Sequence, residues 1–93
     1  MAEFKRLHVL ISGEVQGVFF RIFTQTQAEK LDLTGWVKNL PSEHVEVLAE
    51  GTEVNLKKLL EFLKKGSPKS KVFKIEVQWL SAKTEFKSFE IIG

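Results

Sequence analysis

The sequence predicts an α+β sandwich of the ferredoxin-like βαββαβ type, with a short strand added near its end. Two observations support this class. Segments in which apolar residues alternate with polar ones, and segments with helical apolar spacing, follow one another as strand, helix, strand, strand, helix, strand. Each helix also has a single apolar face. Both helices are therefore expected to pack on one side of an antiparallel sheet, leaving the other side partly exposed.

The first strand is predicted from the alternation of apolar and polar residues at 7–11, and residues 14–19 are expected to form a short loop after it. From residue 20 the apolar spacing becomes helical, and one helix face is made by Phe20, Phe23, Ala28 and Leu31. Two short strands at 36–40 and 44–50 flank the turn at 41–43, so this segment is predicted to be a hairpin.

The second helix is predicted to begin after Thr52, which is suited to cap it, while Glu53 favours its first turn. A broad apolar stripe on this helix is made by Val54, Leu56, Leu59, Leu60 and Leu63, and its part at 56–63 is expected to lie in the core. The strict alternation at 73–79 predicts a further strand. The apolar pair Phe89 and Ile91 marks the short terminal strand.

The length of 93 residues, with 43% hydrophobic and 28% charged residues, indicates one globular domain over 1–93 and excludes a disordered or collagen-like chain. No cysteine is present, which excludes disulfides, cysteine-ligated metals and a thiol nucleophile. The longest early apolar run, residues 9–11, is too short for a signal peptide or a membrane span. We therefore expect a cytoplasmic protein without a membrane partner.

The net charge is +2, and the positive excess is confined to six lysines between positions 57 and 71. Two net charges attract a phosphate backbone only weakly, so these lysines are interpreted as a solvated helix face and no nucleic-acid partner is expected. A monomer is expected. Neither His8 nor His44 belongs to a ligand motif, so no metal site is predicted, and Trp36 and Trp79 are assigned to core or sheet-face packing.

The segment from Gly13 to Arg21 leaves a strand and enters a helix N-terminus, which suits an anion because the first backbone N–H groups of a helix have no intrahelical partner. Gly13 and Gly17 allow the backbone to bend so that these groups converge. Arg21 can add a bidentate grip on two phosphate oxygens. The alternative is that the glycines only form a turn and Arg21 is a surface residue.

Asn39 is a polar amide inside a predicted strand, where asparagine is disfavoured. Its side chain can accept a hydrogen bond from a water molecule and donate one to an oxyanion. The alternative is that Asn39 satisfies only its own turn, because Pro41 follows closely.

The two segments together resemble the signature pair of the acylphosphatase family. The residues that match are Gly13, Val15, Gln16, Gly17, Val18, Phe20 and Arg21, followed by Gly35, Trp36, Val37 and Asn39. Similar residues recur later, so the resemblance covers nearly the whole chain, and the predicted order of elements agrees with the fold of that family.

The resemblance implies an enzyme that hydrolyses the anhydride bond of acyl phosphates to a carboxylate and inorganic phosphate, without a metal or cofactor. It implies that Arg21 binds the phosphoryl group and that Asn39 positions the attacking water. Backbone amides of the loop would bind the phosphoryl group with Arg21, and the loop residues concerned are Val15, Gln16, Gly17, Val18, Phe19 and Phe20.

Two departures from the family pattern concern the surroundings of this site. The hairpin after Asn39 has Ser42-Glu43 where the family often has an Asp-Gly or Asn-Gly turn, which leaves the turn geometry open. Glu14 places a negative side chain beside the anion loop; we expect it to be solvated and to weaken anion binding only modestly.

Two other functions are compatible with the same order of elements. An RNA-recognition module needs aromatic residues on its central strands, but the strand at 44–50 carries two glutamates, which oppose RNA. A non-catalytic anion-binding or regulatory module of the same fold would not need both Arg21 and Asn39. The enzyme is therefore the preferred interpretation.

Overall fold

The computed structural model describes residues 3–17 and 19–93. Within these ranges the elements follow the predicted order, and a 3₁₀ turn at Pro41–Glu43 joins the second and third strands. The helices and strands are β1 (Phe4–Glu14), α1 (Phe20–Lys30), β2 (Thr34–Asn39), β3 (Val45–Thr52), α2 (Glu53–Lys65), β4 (Lys71–Ser81) and β5 (Phe89–Ile92). The ferredoxin-like sandwich predicted from the sequence is thus confirmed.

The five strands form one sheet in the order β4-β1-β3-β2-β5. The predicted antiparallel arrangement holds for the pairs β1–β3, β1–β4 and β2–β3. The terminal strand adds a parallel pair, because β5 runs alongside β2 with Val37 opposite Ile91, and the complete sheet is mixed. The sequence showed that this strand exists but not which strand it joins.

The face of the sheet that carries the core is set by strand alternation. Leu7, Val9 and Ile11 of β1 are fully buried and lie opposite apolar residues of β3. Two helices cover this face, and the largest helix side chains that are buried there are Phe20, Leu56, Leu59 and Leu63. Each side chain of this size contributes about 1.5–3 kcal/mol when it is fully buried.

Two apolar segments of the predicted elements are only partly covered. Val54 of α2 is 63% exposed and lies outside the core, because it is on the solvent side of the first helical turn. The alternation at 73–79 does form a strand, but β4 lies at the edge of the sheet, where Phe73 and Trp79 are exposed. Trp36 is half-buried on the sheet face away from the helices, with the Lys38 ammonium over its ring.

The second helix is held at its start by two hydrogen bonds. Thr52 Oγ1 accepts from the Asn55 backbone N–H at 3.2 Å, which confirms the predicted N-cap. The Asn55 side chain donates to the Leu31 carbonyl at 3.0 Å, just after the end of α1. The beginning of α2 therefore lies beside the end of α1, and the beginning of α1 lies beside the end of α2.

The connection from β4 to β5 crosses the face of the sheet that the helices leave open, because these strands lie at opposite edges. A buried ion pair marks the crossing, in which Arg6 Nε donates to Glu50 Oε2 at 2.8 Å. The backbone N–H of Lys83 donates to the same carboxylate oxygen at 2.7 Å. Arg6 also pairs with Glu85 and lies over the Phe86 ring, so residues 83–86 are fastened to β1 and β3.

The charged state of Glu50 is favoured in the folded protein. Burial by itself disfavours the carboxylate, but hydrogen bonds from the Lys83 amide and the Arg6 guanidinium outweigh it, so the pKa of Glu50 lies below the usual 4.5. A carboxylate whose pKa is lower in the folded protein than in the unfolded chain stabilises the folded state. This contribution is complete at pH values above the pKa of the unfolded chain, and it is lost as the pH falls through the lower pKa of the folded protein.

We therefore predict that Glu50→Gln lowers the free energy of unfolding at pH 7 by about 1.5–3 kcal/mol, because a charge-assisted pair is lost from a buried site. Urea unfolding at pH 7 and pH 3.5 measures the free energy of unfolding and its change on acidification. The wild-type protein should lose more stability between these two pH values than Glu50→Gln does. An equal loss in the two proteins would show that Glu50 does not contribute to acid sensitivity. Glu61→Gln, on the exposed side of α2, is the control.

Candidate active site

The loop before α1 begins at an irregularity in the pairing of β1 with β4, between Ser12 and Gly13. Gly13 has a φ of 143°, and a Cβ atom at this position would lie 2.1 Å from the Lys71 carbonyl oxygen. Only glycine allows β1 to approach β4 so closely there. The register shifts at this point, the pairing of β1 with β4 continues to Glu14, and the loop follows.

Two buried side chains anchor the loop at its ends. Val15 and Phe20 are each only 1% exposed and belong to the core. Between them Gly17 has a φ of 72° and Phe19 a φ of 59°, so two residues of the loop are in the left-handed region. Val18, which was also predicted to contribute a loop amide, lies outside the described residues.

The start of α1 has no side-chain cap and no acidic residue in its first turn. The other helix has both, in Thr52 and Glu53. The backbone N–H groups that begin α1 therefore keep their hydrogen-bonding capacity and the partial positive charge of a helix N-terminus. This arrangement is suited to bind an anion.

Arg21 follows at the second position of α1 and lines a cleft of about 350 Å³ at this end of the molecule. It forms no ion pair with any residue in the ranges that the structure describes. All five guanidinium N–H donors are thus available to an anion in the cleft.

Asn39 reaches the same cleft from the sheet. It is the last residue of β2 and shares its alternation with the fully buried Val37, so its side chain lies on the face covered by the helices. Its Oδ1 atom is buried and accepts no hydrogen bond from the described residues. A buried acceptor of this kind costs about 1–3 kcal/mol unless a donor reaches it, which is unusual away from functional sites.

Gln16 connects the two halves of the site. Its Nε2 atom donates to the Leu40 carbonyl at 2.9 Å and to the His44 carbonyl at 2.8 Å, at the two ends of the turn after β2. One side chain therefore fixes the distance between the anion loop and the strand that ends at Asn39. From the sequence, Gln16 was predicted to contribute only its backbone amide.

Six of the predicted site residues line one cleft, and two further residues that sequence reasoning missed line it with them. The predicted residues are Val15, Gly17, Phe19, Phe20, Arg21 and Asn39. Ile22 is 53% exposed, and its apolar character off the core face of α1 was a signal that could have indicated it. Ile91 could not be predicted, since it reaches the cleft only because β5 pairs with β2.

The two departures from the family pattern lie outside the lining of the cleft. Ser42 and Glu43 both have positive φ values, 66° and 62°, so the turn adopts the backbone that Asn-Gly supplies without strain. Glu14 is exposed, as expected.

His8 lies on the open sheet face, where its Nε2 atom is 2.6 Å from Glu46 Oε2.

Residues 3–17 and 19–93 contain no group of three or more His, Asp and Glu side chains that could hold a metal ion. Neither helix in this part of the chain is long and apolar enough to cross a membrane.

Comparison with known proteins identifies the family. The family model described as acylphosphatase matches residues 7–91. The chain belongs to the acylphosphatase family. An acylphosphatase from Marinobacter nauticus is 45% identical over 84 residues, which make up 90% of this chain and 91% of that protein. The chain is accordingly an enzyme that hydrolyses acyl phosphates.

Solved acylphosphatase structures have the same fold over nearly the full length. The crystal structure of an acylphosphatase from Bacillus subtilis has a TM-score of 0.92 at 42% identity, covering 96% of this chain and 99% of that one. The acylphosphatase from Coxiella burnetii has a TM-score of 0.91 at 37% identity, covering 97% and 94%.

We predict that Gln16→Glu, which keeps the size of the side chain but removes both donors, destabilises the protein by about 1–3 kcal/mol. It should also lower kcat/KM for acetyl phosphate at least tenfold in the fraction that is folded, because the loop and β2 lose their common anchor. Urea unfolding and steady-state kinetics measure the two effects. Gln78→Glu, on the exposed edge strand, is the matched control and should change neither. Unchanged kinetics in Gln16→Glu would refute the positioning role.

Proposed function

We propose that this acylphosphatase works by direct attack of water on phosphorus. Arg21 and the backbone amides of loop residues 15–20 hold the phosphoryl group, and Asn39 positions the water. The observation that carries this proposal concerns Asn39, which lines the same cleft as Arg21 and whose buried Oδ1 has no hydrogen-bond partner among the described residues. A water that donates a hydrogen bond to Oδ1 satisfies this acceptor and has its lone pairs free for attack.

The phosphoryl group is bound by complementary charge and by geometry. The fork of the Arg21 guanidinium matches two phosphoryl oxygens, and the uncapped start of α1 presents backbone N–H groups to them. Charge on these oxygens is redistributed as the bond to the leaving group breaks. Donors fixed in advance stabilise that charge at little reorganisation cost, which is the main source of catalysis in phosphoryl transfer.

The leaving group needs no general acid. It is a carboxylate whose conjugate acid has a pKa of about 4–5, so it departs as a stable anion at neutral pH. In the reaction the water oxygen bonds to phosphorus and the bond from phosphorus to the carboxylate oxygen breaks. The electron pair of that bond leaves with the carboxylate. The same reasoning predicts poor turnover of alkyl phosphates, whose alkoxide must be protonated.

The proton of the attacking water goes to an oxygen of the substrate's own phosphoryl group. This step is proposed because the cleft lining found among the described residues contains no carboxylate and no histidine. The products are a carboxylate and inorganic phosphate, and the proposal requires neither a metal nor a cofactor. Phosphate is then expected to bind as a product inhibitor at the same amides and guanidinium.

We predict that Arg21→Ala lowers kcat/KM for acetyl phosphate by about 10³-fold or more and abolishes phosphate binding, because the charge-assisted contact to the phosphoryl group is lost. Arg21→Lys should fail similarly, since a point charge does not replace the bidentate fork. Lys30→Ala removes a cation from the other end of α1 and serves as the control. Substantial activity of the lysine variant would contradict a bidentate role.

We predict that Asn39→Ala lowers kcat by about 10²–10³-fold while inorganic phosphate binds within threefold of its normal affinity. Asn39 is assigned to the water and not to the anion, so only the chemical step should suffer. Steady-state kinetics and calorimetric titration with phosphate measure the two quantities. Asn55→Ala removes an amide hydrogen bond between the helices and controls for lost stability. A parallel fall of phosphate affinity and kcat would assign Asn39 to the anion instead.

A further inference from the structure

Two large apolar side chains are exposed at the entrance of the active-site cleft. Phe19 is 77% exposed and Ile22 is 53% exposed, and both line the cleft with Arg21. Neither contributes to the phosphoryl chemistry through its side chain. Adjacent exposed apolar groups at the mouth of a site are typical of a surface that contacts a ligand.

These two residues also line a second, more apolar groove, which therefore adjoins the cleft. We call it the acyl groove, and its lining residues are Phe19, Ile22, Phe23, Ser67, Pro68 and Lys69. Phe23 forms its fixed part, because its ring packs edge-on against Phe62 with the ring centroids 6.3 Å apart. The groove thus has a rigid apolar wall next to the position of the phosphoryl group.

Phe19 is held in this position at an energetic cost. Its φ of 59° and ψ of 22° place it in the left-handed region, which is uncommon for a bulky side chain and costs on the order of 1 kcal/mol. Glycine or asparagine would adopt this backbone more easily. An aromatic ring that is strained, exposed and next to a catalytic cleft is better explained by contact with substrate than by folding.

In-line attack determines where the acyl group of the substrate lies. The water at Asn39 and the leaving carboxylate must be on opposite sides of phosphorus. Asn39 belongs to the sheet, whereas the acyl groove belongs to the helix layer and the loop after α2. The acyl group therefore leaves the cleft past Phe19 and Ile22.

We propose that the acyl groove binds the acyl group and that the enzyme prefers acyl phosphates with an apolar chain over those with a short or charged one. This inference rests on the function proposed above. The lining of the acyl groove is apolar apart from Ser67 and one cation, Lys69, whose side chain is exposed to solvent. The main favourable contribution to binding of the acyl chain is accordingly the removal of its methylene groups from water against Phe19, Ile22 and Phe23.

A series of straight-chain substrates from acetyl through butyryl to hexanoyl phosphate tests the proposal, because the leaving-group acidity is nearly constant along it. In the wild-type enzyme kcat/KM should rise about twofold with each methylene, since an open groove covers about half of each group. The rise should appear mainly as a lower KM.

The variant Phe19→Asn/Ile22→Ser tests the residues. Asparagine accepts the left-handed backbone, and both replacements remove apolar surface from the groove. The dependence of kcat/KM on chain length should become nearly flat. Val54→Ala removes a similarly exposed apolar side chain at the opposite end of the helix pair and should keep the wild-type dependence. The dependence is a ratio within one preparation, so the fraction of folded enzyme cancels.

The outcomes separate this proposal from the one on which it rests. Absence of turnover for every acyl phosphate would refute the proposed function itself. Turnover with no dependence on chain length in the wild-type enzyme, or with a dependence that survives in the double variant, would overturn the acyl groove alone. Preference for an acyl phosphate with a terminal carboxylate, abolished by Lys69→Ala, would also overturn it by assigning the groove to charged acyl groups.

Discussion

The buried ion pair between Arg6 and Glu50 fastens the chain crossing on which the sheet order of this fold depends. Because β4 and β5 lie at opposite edges of the sheet, the chain must cross a face that no helix covers. Glu50 accepts a hydrogen bond from the crossing segment at Lys83, and Arg6 contacts that segment at Glu85 and Phe86. This attachment holds the crossing segment against the sheet on its way to β5, which pairs with β2 and supplies Ile91 to the lining of the cleft.

The proposed active site has several locally unfavourable features close together. One helix is capped and carries an acidic first turn, whereas the helix at the cleft begins without either. Of the five non-glycine residues at positive φ in the described part of the chain, three lie in the two segments that adjoin the cleft: Phe19 in the loop before α1, and Ser42 and Glu43 in the turn after β2. Donors that stabilise a reacting group must be fixed in place before the substrate binds, without hydrogen-bond partners inside the protein. Packing of the surrounding core offsets the free energy lost to backbone strain and to these unmade hydrogen bonds.

Most of the fold followed from apolar periodicity, because a strand or helix that buries one face records that face in its sequence. The core residues of β1 and the Leu56 to Leu63 stripe were predicted for this reason. Val54 and Trp79 were less well predicted, since periodicity shows which residues are apolar and not how far a neighbouring element extends over them. The parallel partner of β5 had no local signal at all.

The sequence by itself determined the order of elements and the N-cap at Thr52, and it placed two glycines and Arg21 around the loop before α1, because each of these depends on neighbours along the chain. Only the tertiary structure decided that Asn39 and Arg21 line one cleft, that Gln16 ties the loop to the turn after β2, and that Phe19 and Ile22 line both the cleft and an adjoining apolar groove. These relations depend on sheet order and on the crossing to β5. Both are set by long-range packing, which leaves no periodic trace in the sequence.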